Sequence, residues 1–192
     1  MMAGHDSASA GAEPAWVGEV IHFWFAEVAP DRWFAKDDEV DARIRDRFLT
    51  LHERLLANDG RDVRGSRSML AAVIVLDQFS RNLFRGSPRA FAADPIALRL
   101  SRSAIAQGLD LAMTNVERLF LYLPFEHSEN REDQALSLSL IERLGNVEWT
   151  RYAMAHKAII DRFGRFPHRN AVLNRRSTAE EIALLKEPMS SF

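Results

Sequence analysis

Between Pro14 and Pro188 the apolar residues of this chain recur three and four positions apart, and no segment shows the two-residue alternation of a half-buried strand. That pattern restricts the fold to packed helices. Trp16, Val17, Val20, Ile21, Trp24 and Phe25 form one stripe between Pro14 and Pro30. Val40, Ile44, Phe48, Leu51 and Leu55 form another, opened by Asp37 and Asp38 at the positive end of the helix and closed by Asn58-Asp59-Gly60. Met69–Leu76 is apolar on every side, and its flanking Met, Leu and Ala favour a helix through the core over a buried strand. Ser66 is expected to cap this helix and Gly86 to end it.

The remaining punctuation is equally regular. Ser87-Pro88 and Asp94-Pro95 read as cap-then-proline starts, the second helix ending at Gly108. Thr114 and Glu117 match the capping box of a helix expected to stop at Pro124, and Ser128 is expected to cap the next, with Glu129 in its first turn. Stripes ending at Gly145 and Gly164 follow, then a short helix capped by Ser177 or Thr178. The expectation is an all-α domain of about eight or nine helices in stacked antiparallel pairs, spanning residues 14–187. A disordered tail, 1–13, precedes it and a short C-terminal tail, 188–192, follows.

Composition narrows the function. The apolar fraction of 47% and charged fraction of 27% are those of a soluble globular domain. The apolar run Met69–Leu76 is far below the roughly 20 residues of a membrane helix. Residues 1–13 lack the basic and hydrophobic stretches of a signal peptide, so the expected location is the cytoplasm. With no cysteine, disulfides, thiol nucleophiles and thiolate zinc sites are excluded. The net charge of −2 argues against nucleic acid as a partner, although 22 of the 25 basic residues are arginine, and five of those fall between Arg162 and Arg176 with no carboxylate among them.

Three segments carry the polar chemistry. Asp77 with Arg81, and Gln78 with Asn82, stand four apart on one face of the buried helix. Glu126 and His127 set a carboxylate beside an imidazole, the elements of a general acid–base pair, with Ser128 and Glu129 following. Gly164 and Pro167 stiffen a loop that presents Arg165, His168, Arg169 and Asn170. No metal is expected, because no ligand spacing such as HExxH or a paired ExxH is present, and His156 on an apolar stripe reads as a core histidine. No nucleotide fingerprint or nucleophile elbow is found, and no particular cofactor is indicated.

With these segments in view, the chain resembles the bacterial family called domain of unknown function 924. The resemblance runs from about Trp16 to Leu185 and rests on Leu76–Arg85 (LDQFSRNLFR), Ala90–Asp94 (AFAAD), Leu123–Glu129 (LPFEHSE) and Arg162–Asn170 (RFGRFPHRN). It implies an all-α fold similar to tetratricopeptide superhelices without the repeat consensus, and no known activity. Asn174 stands where relatives carry glycine, and asparagine tolerates the same left-handed turn.

Two functional readings follow. In the first, a cleft binds a small anionic metabolite, a phosphate or carboxylate: Arg165 and Arg169 clamp it, Gln78, Asn82 and Asn170 orient it, and Glu126, His127 or His168 moves a proton in a hydrolase or transferase. Asp77, Arg81 and Glu129 complete that set. In the second, the helix pairs form a scaffold for a peptide or partner protein, and the polar segments are internal struts.

Overall fold

The computed structural model describes residues 13–187, so both expected tails, apart from Glu13, lie outside the described residues. Among the described residues there are eight helices and no strand. Helix α1 (Ala15–His22) continues through a π-helical turn, Phe23–Glu27. Helix α2 spans Asp38–Ala57, and its cap is Asp37, whose side chain accepts from Glu39 N and Val40 N. The buried face of α2 is Val40, Ile44, Phe48 and Leu55, with His52 buried among them and Leu51 only partly so.

Helix α3 is the axis of the molecule. It runs as Ser66–Val73, a π-helical segment Ile74–Phe79 and a last α-turn Ser80–Leu83. From Met69 to Ser80 no residue is more than 6% exposed, which only a helix enclosed on all sides achieves. It packs against α1 and α2, and against α4 (Asp94–Ala106) and α5 (Asn115–Glu126). Helices α5, α6 (Arg131–Glu142) and α7 (Val147–Phe163) then pack in succession, joined by short connections that make contacting neighbours antiparallel. Helix α8 (Ala179–Leu184) closes the chain, with Thr178 and Glu181 forming its capping box. The core is a single large cluster, with a small satellite of Ile159, Ile160 and Phe166 under the last loop.

Several helix ends differ from the sequence expectation, and tertiary partners explain most of them. Gly65 occupies the cap position of α3, and Ser66 instead donates to Leu109 O at 2.9 Å. Asp94 is the first residue of α4 rather than its cap, and its carboxylate is taken by Arg81. Helix α5 does not stop at Pro124; it runs on to Glu126. Its last carbonyls find a donor in Gln134 Nε2, which reaches Glu126 O at 2.6 Å and Ser128 O at 2.7 Å from the next helix. Asn130, not Ser128, caps α6, while Ser128 donates to Asp133 at 2.8 Å and Glu129 lies outside the helix. Gly164 and Asn174 both adopt left-handed backbone, φ 68° and 53°, as their residue types suggest. No helix among the described residues is long and apolar enough to cross a membrane.

Candidate functional site

Four stretches of chain meet at the polar end of α3. Its π-helical segment supplies Asp77 and Gln78, and the turn after it supplies Arg81. π-Helical turns inside α-helices are frequent at functional sites. The short 3-10 turn Pro88–Phe91 and the start of α4 contribute Phe91 and Asp94. The last turn of α5 gives Glu126 and its C-cap His127, and α7 gives His156. The loop after Gly164 returns Phe166 and, in the 3-10 turn Pro167–Arg169, His168 and Arg169.

Asp77 is wholly buried. His127 Nδ1 lies 2.7 Å from its Oδ1, and Gln78 Nε2 donates to its Oδ2 at 2.6 Å. Burial pushes the Asp77 carboxyl up, but His127, Arg81 and Gln78 together outweigh that and hold it at about 2. The ionised carboxylate can only accept, so Nδ1 of His127 carries a hydrogen and donates it to Asp77.

A second carboxyl–imidazole pair stands beside the first. His156 Nδ1 is 2.9 Å from Tyr152 O and 3.1 Å from Glu126 Oε1. A backbone carbonyl only accepts, so Nδ1 donates here too. Burial, and then the negative charge of Asp77, push Glu126 up to about 8, so it is protonated at neutral pH. Burial, followed by the positive charge of His127, pulls His156 down to about 3. The two imidazole rings lie 6.2 Å apart between centroids.

The cationic side is made by two arginines around Phe91. Arg81 forks Asp94 at 2.7 and 3.0 Å, donates to Ala90 O, and stands 3.7 Å from Asp77. Arg169 is 6% exposed and makes cation–π contacts with Phe91 and Phe166, its guanidinium carbon 4.8 and 4.5 Å from the two ring centroids. It makes no hydrogen bond among the described residues; its Nε is buried without a partner, and the nearest carboxylate oxygen, Asp94 Oδ2, is 3.7 Å from Nη1. Burial and then Arg81 pull Arg169 down to about 10, which leaves it charged. Burial and Arg169 likewise pull His168 down to about 4, leaving it neutral.

The other expected site residues lie elsewhere. Arg165 forks Glu181 at 2.6 and 2.8 Å and donates to Arg176 O, so its guanidinium is turned away from the cluster. Asn170 is buried and donates to Ser177 Oγ and Glu181 Oε2. Glu129 accepts from Phe166 N at 2.8 Å and from both Nη atoms of Arg175 at 2.7 and 2.9 Å. Asn82 leaves the site altogether and donates to Asp41 at 2.7 Å, where Arg85 also binds. Asp77, Gln78, Arg81, Glu126, His127, His168 and Arg169 are thus brought together, Glu129, Arg165 and Asn170 build the frame around them, and Asn82 belongs to neither.

Sequence reasoning passed over four participants. Asp94 reads as a helix cap and His156 as a core histidine, Phe91 carries no local signal, and Arg175 stands out only as one of the five arginines between Arg162 and Arg176. The segment Ala90–Asp94, which contains both Phe91 and Asp94, was one of those carrying the family resemblance. Two clefts lie away from the cluster, one of about 770 Å³ beside Trp16, Arg54 and Arg64, the other of about 590 Å³ where α6 meets α7. Neither is lined by any residue of the cluster.

Comparison with known proteins agrees with the fold and is silent on activity. Among curated proteins none matches. A solved structure of a protein of unknown function from Agrobacterium tumefaciens is similar at 39% identity and a TM-score of 0.84, covering 90% of this chain and 97% of that one. The profile described as "Bacterial protein of unknown function (DUF924)" matches residues 20–189. The chain therefore belongs to that bacterial family, DUF924.

Proposed function

We propose that the cluster around Asp77, His127 and Arg169 binds a small anionic metabolite and holds the groups for proton transfer on it. The observation that carries this is Arg169, a buried guanidinium with no hydrogen bond among the described residues. Burying guanidinium N–H groups that find no acceptor is costly, and an anion on that edge would supply the acceptors. His127, with its Nδ1 hydrogen held by Asp77, presents Nε2 for proton exchange, and Glu126, protonated at neutral pH, holds a second proton in the same cluster. Hydrolysis and group transfer both use such a pair.

Thermal unfolding against a panel of carboxylates and phosphates tests the reading. A ligand at a hundredfold excess over its Kd should add about 2.7 kcal/mol, and Arg169→Met should abolish the gain. No gain with any anion, or a gain that persists in Arg169→Met, would overturn it.

The matched network of Arg165, Arg175, Glu129 and Glu181 favours a second reading for the outer part of the loop, in which those residues are struts of a tetratricopeptide-like scaffold. A partner protein captured with unaltered affinity by Arg169→Met would support that reading over the first.

A further inference from the structure

The geometry around Arg169 narrows the chemical class of the anion, given the reading of the cluster as an anion site. The rings of Phe91 and Phe166 both lie close to the guanidinium carbon, and the groups it can offer a ligand are its in-plane N–H donors. The Nη1 end leans toward Asp94 Oδ2 at 3.7 Å. The opposite edge, Nε with Nη2, donates to nothing among the described residues, and Nε is fully enclosed. That edge presents two parallel N–H groups in one plane, spaced for two oxygens on one carbon.

A phosphate or sulfate also carries oxygens out of that plane, and neither Arg81 nor Gln78 is free to meet them. Arg81 is already committed to Asp94 and to the carbonyl of Ala90. The side chain of Gln78 is turned to Asp77. Asp77 and Asp94 already stand near the two guanidiniums, so a dianion would bring two further negative charges into the cluster. A planar monoanion in the plane of the guanidinium brings one. We propose that the ligand is a short-chain monocarboxylate, its two oxygens on Nε and Nη2 of Arg169 and its remaining atoms toward the His127–Asp77 pair.

The test is titration of the full chain, in chloride buffer at constant ionic strength, with acetate, propionate and inorganic phosphate. It is followed by calorimetry and by the side-chain Nε–H resonance of Arg169, assigned by its absence in Arg169→Lys. Carboxylate binding should shift that resonance, phosphate should bind at least about tenfold more weakly, and Arg169→Lys, which keeps the charge but loses the planar edge, should weaken acetate by about tenfold. Backbone amide spectra of the variants establish that each is folded. Phosphate binding through Arg169 as tightly as acetate would overturn the carboxylate assignment and leave the anion site standing. If neither anion moves the resonance, or Arg169→Lys binds acetate unchanged, both readings fall.

Discussion

Arg175 and Arg169 lie on the same stretch of chain and keep their charges in opposite ways. Arg175 forks Glu129, donates to Asn170 Oδ1 at 2.9 Å and to Phe166 O at 3.1 Å, and so fixes the loop to the end of α5. Arg165 does the same with Glu181 and α8. Every polar group in that outer network has a partner, which is what stability alone would select. A few residues inward the pairing is incomplete: Arg169 makes no hydrogen bond, Glu126 is buried as a neutral acid, and His156 is held neutral beside it. The loop thus has a frame that holds and a centre that is left chemically unfinished, and unfinished polar chemistry in a rigid frame is the usual form of a binding or catalytic site.

The contrast breaks if the frame turns out to be dispensable. Glu129→Ala removes the acceptor of three N–H groups and should cost about 3 kcal/mol in urea unfolding, because Arg175 and the Phe166 amide are left half-buried without it. A loss below about 1 kcal/mol would make the outer network as loosely paired as the inner one.

The titration of the two networks should differ as well. Glu126, raised by burial and then by Asp77 from its ordinary 4.5 to about 8, is protonated when folded and ionised when unfolded between those values. Its contribution is therefore full below 4.5 and is lost as pH rises to about 8. Below the ordinary 6.5 of imidazole, His156 and His168, lowered chiefly by burial to about 3 and about 4, give the opposite slope and outweigh it. The fall should show between about pH 6.5 and pH 8, at about 1 kcal/mol per unit, and vanish in Glu126→Gln. The outer network behaves otherwise. Glu181, held at about 2 first by its hydrogen bond to Arg165, contributes above its ordinary value and loses that only on acidification. A slope that persists in Glu126→Gln would place the titrating group elsewhere.

Gly164 joins α7 to both networks at φ 68°, with nothing within 4 Å of an added Cβ. Gly164→Ala should cost about 1 kcal/mol from backbone strain alone. Acetate affinity should survive it, since the frame and not the turn sets Arg169; loss of binding at so small a cost would join the two regions into one.

Arg169→Met should have the smallest effect on stability. Replacing an unbonded buried guanidinium by an apolar chain of similar length is neutral or stabilising by about 1 kcal/mol. A loss near that of Glu129→Ala would make Arg169 another strut.

The site was legible in part. Asp77, Gln78, Arg81, Glu126, His127, His168 and Arg169 stand out because polar groups interrupt apolar helical stripes or crowd a Gly/Pro loop, and the structure gathers them. Arg165 had the same local appearance as Arg169, yet it faces Glu181, because the two side chains leave the loop in different directions. His156 sits on an apolar stripe as a core residue would, and only the docking of α7 against α5 puts Glu126 within 3.1 Å of it.

Helix type, most helix positions and the left-handed turns at Gly164 and Asn174 follow from the sequence alone, because stripe period, caps and backbone preference are properties of neighbouring residues. The continuation of α5 past Pro124, the capping of its end by Gln134 and the division of the arginines into paired and unpaired were decided by the tertiary structure. Which carboxylate meets which guanidinium depends on elements far apart in the chain, and hydrogen bonds and charge neutralisation inside a protein act over a few ångströms of space, whatever the separation in sequence.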